Sequence, residues 1–147
     1  MIYLVDTNVL LRLADRRHEL HPVVRTAMQK LRQDEHQLQV VAQNFIEFWN
    51  VSTRPKDRNG LGISPPGTVR LLRLFERLFP LLPDTPLIYP EWRRLVAVCE
   101  VVGVQAHDAR LVAAMKVHGI SRILTFDTSD FARYHSEGIE AVDPSSI

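Results

Sequence analysis

The chain has 147 residues, which is long enough for one domain with a hydrophobic core and too short for two. Its content of 46% hydrophobic and 24% charged residues is typical of a globular protein. Its net charge of +1 excludes a uniformly basic nucleic-acid binder, and any such binding would have to depend on a local patch. The single cysteine, Cys99, excludes an intrachain disulfide. Because neither a secretory leader nor an apolar run of about 18 residues is present, we expect a soluble cytoplasmic protein without a membrane segment.

The chain opens with a short apolar strand that runs directly into an acid. Residues 2–5 are strand-forming, Asp6 follows at once, and Thr7 and Asn8 have oxygen-bearing side chains suited to the start of a helix that continues to Ala14. In open α/β sheets, ligands bind outside the carboxyl ends of the strands, which is where Asp6 would lie. The alternative is that Asp6 only caps the helix.

A second acid, Glu47, lies in the first turn of a predicted third helix. A second helix with Pro22 in its first turn and a buried strand at residues 38–42 come before it, and Asn44 is predicted to be its N-cap. Glu47 could then form a capping box with Asn44, which is a purely structural explanation. The aromatic residues around it favour a largely buried helix with a partly desolvated acid: Phe45, Phe48 and Trp49.

Residues 53–67 interrupt this pattern with a stretch rich in proline and glycine, which predicts a flexible loop. Three basic side chains lie in it: Arg54, Lys56 and Arg58. They are either incidental charges of a solvated loop or a mobile basic flap that contacts phosphates.

Apolar spacing predicts the next three elements. A helix is predicted to begin at about Thr68 and to be stopped by Pro80, and a short strand is predicted at residues 81–82. Another helix begins at Pro90, and Cys99 lies on its apolar face. We therefore expect Cys99 to be a small core residue rather than a reactive thiol.

The following helix, from about His107 to Met115, carries an acid on its apolar face. Asp108 has the helical spacing of three apolar residues: Leu111, Val112 and Met115. Burying an unpaired carboxylate is costly, so Asp108 requires a cation or strong hydrogen-bond donors. A role as a helix cap is the alternative.

Residues 122–126 form a second predicted strand that runs into an acid, Asp127, and a turn containing Asp130 follows. A last short strand is predicted at residues 139–142. This alternation of strands and helices predicts a mostly parallel sheet covered by helices on both faces. In such a sheet the strand ends and the following helix starts lie at one edge, so four acids would converge: Asp6, Glu47, Asp108 and Asp127.

Carboxylates this close to one another require compensation. Two charges at about 4 Å repel by roughly 4 kcal/mol at an effective dielectric constant of about 20. Protonation or a divalent cation can relieve this repulsion. Oxygen ligands without a cysteine partner or a zinc-type histidine spacing favour magnesium or manganese over zinc.

These segments resemble those of PIN-domain ribonucleases, and in particular the VapC-type toxins of bacterial toxin–antitoxin pairs. The resemblance is carried in order by Asp6-Thr7-Asn8, by Glu47 in its apolar helix, and by the segments 107–114 and 124–131. It implies one domain with a three-layer α/β/α sandwich and metal-dependent endoribonuclease activity. The oxygen ligands favour magnesium as the metal, with manganese as a possible substitute. The resemblance also implies a homodimer and a cognate antitoxin whose tail enters the acidic site.

By this resemblance, Asp6 and Asp108 correspond to the principal metal ligands, and Glu47 and Asp127 to the remaining catalytic acids. Thr7 and Asn8 match the small polar residues beside the first acid. Family members differ in whether the acid at position 127 or at position 130 is the fourth. We favour Asp127, with Asp130 as a supporting residue.

The near-neutral total charge requires a local surface for RNA. We expect this basic rim to consist of Arg54, Lys56, Arg58, Arg70 and Arg73. One alternative function is a catalytically silent PIN-like domain that binds RNA or a protein. A magnesium-dependent phosphohydrolase with Asp6 as nucleophile is less favoured, because the usual haloacid-dehalogenase signature has a second aspartate where this chain has Asn8.

Overall fold

Strands and helices alternate along the computed structural model, which describes residues 1–147. The strands are β1 (Ile2–Val5), β2 (Gln37–Val41), β3 (Leu81–Leu82), β4 (Arg122–Leu124) and β5 (Glu140–Val142). The α-helices are α1 (Thr7–Ala14), α2 (His21–Gln33), α3 (Ala42–Thr53), α4 (Pro65–Leu78), α5 (Ile88–Val98), α6 (Gln105–Val117) and α7 (Thr128–Phe131). Short 3₁₀ turns cover Lys56–Arg58, Ala132–Glu137 and Pro144–Ser146. No helix combines the length and apolarity needed to cross a membrane.

The five strands form one sheet in the order β3-β2-β1-β4-β5, and every neighbouring pair is parallel. In the central strand β1, Leu4 lies opposite Gln39 of β2 and Ile123 of β4. The carboxyl ends of the strands therefore share one edge of the sheet. The predicted α/β fold with a mostly parallel sheet is confirmed.

Helices cover both faces of the sheet, because successive side chains of a strand point to opposite sides. Leu4 belongs to a core cluster with residues of α5 and α6. Its neighbours Tyr3 and Val5 belong to a second cluster, with residues of α1, α2, α3 and α4. Cys99 is partly buried against the first cluster, which agrees with its expected place in the core.

The third helix begins at Ala42, three residues earlier than an N-cap at Asn44 predicts, so the expected N-cap is wrong. Strand β2 runs into α3 without a linker, and Val41 is the N-cap residue with extended backbone angles. Asn44 is the third residue of the helix, where its side-chain oxygen accepts the Val41 N–H at 2.9 Å. The capping box between Asn44 and Glu47 therefore does not form, and the Glu47 carboxylate is directed elsewhere.

The connection between α3 and α4 is shorter than the predicted loop at 53–67, because α4 begins at Pro65. Ser64 is the N-cap of α4, and Pro65 fits the first helical position, where no N–H is needed. The connection is held to α3 by two backbone hydrogen bonds, from Leu61 to Val51 at 3.0 Å and from Ile63 to Ser52 at 2.8 Å. Its flexibility stays a prediction.

Candidate active site

The acids predicted to converge lie at the carboxyl edge of the sheet, and their charges act on one another. Asp6 follows β1 and Asp127 follows β4, while Glu47 lies in α3 and Asp108 in the first turn of α6. The charges of Asp108 and Glu47 help to raise the pKa of Asp6, and that of Asp130 helps to raise the pKa of Asp108. No three acidic, histidine or cysteine side chains converge to form a metal-binding group by themselves. We call these residues the acidic cluster, which is open rather than tightly packed and has five members: Asp6, Glu47, Asp108, Asp127 and Asp130.

Asp6 is both the N-cap of α1 and the most deeply buried acid of the cluster, with 7% of its surface exposed. Its carboxylate accepts hydrogen bonds from the Thr7 N–H at 2.8 Å, the Thr125 hydroxyl at 2.7 Å and the Asn8 amide at 3.2 Å. Burial nevertheless raises the pKa of Asp6 to about 7, against the lowering effect of the Thr125 and Thr7 hydrogen bonds. Capping and membership of the cluster are thus compatible.

Thr125, a residue that was not predicted to belong to the site, links the first acid to the fourth. Its fully buried hydroxyl donates to Asp6 and accepts from the Asn8 amide and the Asp127 N–H, both at 3.0 Å. The Asn8 amide also lies 3.0 Å from Asp127, and its oxygen accepts the Phe126 N–H at 3.2 Å. The only sequence signal for Thr125 is a hydroxyl at the end of an apolar strand.

Replacing Thr125 with valine keeps the shape of the side chain and removes all three hydrogen bonds of its hydroxyl. We expect the pKa of Asp6 in the metal-free protein to rise above about 7, because a donor to the charged form is lost. We also expect a loss of about 1 to 3 kcal/mol in the free energy of unfolding at pH 8. Carboxyl-carbon NMR and urea unfolding measure the two effects, and Thr26→Val, on the exposed side of α2, should change neither. An unchanged pKa would contradict this role.

Glu47 accepts hydrogen bonds from side chains of α1 and of its own helix α3, and none from the backbone at the start of that helix. Its carboxylate accepts the Thr7 hydroxyl and the Gln43 side-chain amide, both at 2.8 Å. The same Gln43 amide donates to the His107 carbonyl at 2.7 Å, and its oxygen accepts from Arg110 at 3.0 Å. Neither Gln43 nor Arg110 was predicted to belong to the site. Gln43 lies one helical turn before Glu47, and this spacing is the only signal that could have indicated it.

Asp108 is half-buried, and no hydrogen bond or ion pair compensates its carboxylate. Burial raises the pKa of Asp108 to about 6, and the charges of Asp130, Glu47 and Asp127 add to this effect in that order. Both Asp127 and Asp130 are exposed; Asp127 accepts a hydrogen bond from Asn8, and Asp130 has the larger electrostatic effect on Asp108. Both candidates for the fourth acid therefore face the site, and the choice between them stays a prediction.

The residues of the predicted basic rim do not contact the acids. Arg54 donates to the Asn59 carbonyl at 3.2 Å, within its own loop. Lys56 lines a hollow beside Asp15, at the far end of the eight-residue helix α1, which is about 12 Å long. The other three side chains are exposed: Arg58, Arg70 and Arg73. Contact of this basic rim with RNA therefore stays a prediction.

Several solved structures share this fold. VapBC-1 from nontypeable Haemophilus influenzae superposes with a TM-score of 0.71 at 14% identity, covering 99% of each chain. A toxin–antitoxin complex from Klebsiella pneumoniae gives a TM-score of 0.64 at 20% identity, covering 97% of each chain. VapC20 from Mycobacterium tuberculosis, a sarcin-ricin loop cleaving toxin, gives 0.63 at 20% identity, covering 90% of this chain and 94% of that one. At these identities the likeness establishes the fold.

Comparison with curated proteins finds no match. The family model of the PIN domain, in contrast, matches residues 3–136, which include most of β1, all five acids of the cluster and the whole of β4. The matched region covers most of the chain and contains the acids at the carboxyl edge of the parallel sheet. The chain belongs to the PIN domain family.

Proposed function

We propose that this protein is a magnesium-dependent endoribonuclease and the toxin of a toxin–antitoxin pair. The observation that carries the proposal is that two carboxylates from distant parts of the chain, Asp6 and Asp108, meet at the carboxyl edge of the sheet. Burial and neighbouring acids raise the pKa of Asp6 to about 7 and that of Asp108 to about 6, and no lysine or arginine side chain forms an ion pair with either group. Membership of the PIN domain family and the likeness to toxin–antitoxin structures support the same function.

The donor set fits a hard divalent cation. Its charged members are carboxylates, and the neighbouring polar groups are hydroxyl and amide side chains, with no cysteine among them. Asp6 and Asp108 would hold the ion, since Mg²⁺ in proteins is usually coordinated by one or two carboxylates and several water molecules. When bound, the cation supplies Lewis acidity: it lowers the pKa of water and offsets charge on the phosphate. Manganese, a cation of the same preference for oxygen, would substitute.

The residues of the chain itself would orient the groups around the scissile phosphodiester. Thr7 and Thr125 hold the Asp6 carboxylate from two sides, so its oxygens have fixed directions. Glu47 is held by two neutral donors and has no cationic partner, which leaves it able to accept a proton from the attacking water. Asn8 holds Asp127 beside Asp6, where this fourth acid could orient water or a second ion.

Two partners besides RNA belong to the proposal. A cognate antitoxin would inhibit the enzyme by placing its tail in the acidic site, and the enzyme would act as a homodimer. The complexes of VapBC-1 and of the Klebsiella pneumoniae pair support an antitoxin partner, and the RNA-loop specificity in the name of VapC20 supports an RNA substrate.

Cleavage of mixed RNA tests the proposal directly. We expect the protein to cut RNA in magnesium, and both excess chelator and Asp6→Asn to lower the rate by more than about 100-fold, since even partners of metal ligands contribute 10- to 100-fold. Sequencing of the new RNA ends identifies the cleavage site. Cleavage that persists with chelator or in Asp6→Asn would refute the assignment. Binding of RNA without cleavage would favour the silent domain, and hydrolysis of small phosphate monoesters the phosphohydrolase.

The proposed basic rim makes a separate prediction about affinity. Replacing its five residues with alanine should weaken RNA binding and flatten the salt dependence of the binding constant, because each lost phosphate contact lowers the logarithmic slope by about 0.7 for a single strand. Two partial variants divide the effect, one in the loop with Arg54, Lys56 and Arg58 and one in α4 with Arg70 and Arg73. Filter binding between low and high salt measures the slope. An unchanged slope would reject this surface.

A further inference from the structure

Gln43 connects two helices of the acidic cluster although it carries no charge. It lies in the first turn of α3 with 7% of its surface exposed. Its amide nitrogen donates to Glu47 at 2.8 Å and to the His107 carbonyl at 2.7 Å. Because His107 immediately precedes Asp108, one amide group holds both the Glu47 carboxylate and the backbone beside the principal acid of α6.

The orientation of this amide is determined by its three partners. Two of them, the Glu47 carboxylate and the His107 carbonyl, can only accept, so the nitrogen must face them. The third, the Arg110 guanidinium, can only donate, and it contacts the amide oxygen at 3.0 Å. A rotated amide would place its oxygen against two oxygens and its nitrogen against a cation. Arg110 therefore prevents the rotation, and it is itself 3.5 Å from Asp84 in the loop before α5.

We propose that Gln43 is a positioning residue of the acidic site, which fixes the Glu47 carboxylate relative to Asp108 and is kept in its working orientation by Arg110. The inference rests on the proposed nuclease function. Glu47 is only partly buried and has a long side chain, so without this donor it would be held by Thr7 alone. The hydrogen bonds of Gln43 to Glu47 and to the His107 carbonyl thus fix the position of the Glu47 carboxylate.

Gln43→Met tests the inference, because methionine fills a similar volume and makes none of the three hydrogen bonds. The matched control is Gln37→Met, an exposed glutamine at the opposite end of the preceding strand β2. Calorimetric titration with Mn²⁺ in the absence of RNA, and kcat and KM for RNA, are measured for each. We expect Gln43→Met to lower Mn²⁺ affinity and kcat by about 10- to 100-fold with KM within about twofold, because Glu47 adds its negative charge to the proposed ion site and is the proposed proton acceptor, and side chains that fix such groups contribute by this amount. Arg110→Met should give a smaller loss in the same direction.

A double-mutant cycle separates positioning from a structural role. In a Glu47→Gln background, Gln43→Met should cause little further loss of Mn²⁺ affinity, because the group through which it acts is already altered. Wild-type affinity and kcat in Gln43→Met, or a full additive loss in the double variant, would overturn the inference.

Failure of the proposed function would be recognised separately. If the wild-type protein neither binds Mn²⁺ nor cuts RNA, the proposed nuclease function is refuted. The positioning role of Gln43 is then tested by comparing the position of the Glu47 carboxylate in crystal structures of the wild type and Gln43→Met. A Glu47 carboxylate that leaves its place beside Thr7 in the variant supports positioning by Gln43. A carboxylate that stays in place contradicts it.

Discussion

Replacing Asp108 with asparagine is expected to abolish RNA cleavage and, at the same time, to stabilise the metal-free protein. The cleavage rate should fall by more than about 100-fold, because a proposed principal ligand is lost. Stability should rise because the carboxylate has no hydrogen-bond donor or cation and its pKa is raised to about 6 from 3.8. Since the group is only half-buried, we expect a gain of about 1 to 2 kcal/mol in the free energy of unfolding at pH 8.

The pH dependence of this gain identifies its cause. Above about pH 6 the folded wild type carries an ionised Asp108, and the asparagine variant avoids the cost of that charge. The gain should shrink as the pH falls toward about 4, where the carboxyl of the unfolded chain also becomes protonated. Asp34→Asn, an exposed aspartate after α2, is the matched control and should change neither stability nor cleavage. A variant that is less stable than wild type at pH 8 would show that Asp108 is compensated in the fold.

Metal-free protein is expected to be less stable at pH 8 than at pH 5, because of the buried acid Asp6. Its pKa is about 7 in the folded state against 3.8 in the reference state, so the folded chain binds more protons between these values. The free energy of unfolding therefore falls as the pH rises through this range and levels off above about pH 7. Between pH 5 and pH 8 the fall spans about two pH units, which corresponds to about 3 kcal/mol. The pKa of Glu137 is lowered to about 2 by Arg94 and Lys116, so this acid stays ionised in the folded protein throughout the compared range.

Divalent cations should reverse this loss of stability. Ion binding requires ionised carboxylates, so Mg²⁺ or Mn²⁺ should stabilise strongly at pH 8 and weakly at pH 5. At about 100 times the dissociation constant the gain is about 2.7 kcal/mol, which corresponds to an increase of about 5 to 10 °C in Tm. Thermal unfolding with chelator, with Mg²⁺, and with NaCl of equal ionic strength measures it. An equal increase with NaCl, or an equal increase at both pH values, would show that the acidic cluster is not the binding site.

The fold and the acids were predictable because they depend on local patterns. Short apolar runs that end at Asp6 and Asp127 indicate strands, and the helical spacing around Asp108 indicates a carboxylate on an apolar face. Parallel strands then bring the carboxyl ends to one edge, whatever the details of packing. The start of α3 was predicted three residues late, because an asparagine accepts a backbone N–H equally well from the cap or from the third position of a helix.

The sequence by itself determined a parallel α/β fold and the acidic residues at one edge of its sheet, since the periods of strands and helices carry that information. Only the tertiary structure decided which neutral side chains hold the acids. Thr125 reaches Asp6, and Gln43 joins Glu47 to the helix of Asp108, through contacts between elements far apart in the chain. The physical reason is that a hydrogen bond depends on distances and directions of a few tenths of an ångström, which are set by the packing of helices on the sheet and leave no periodic trace in the sequence.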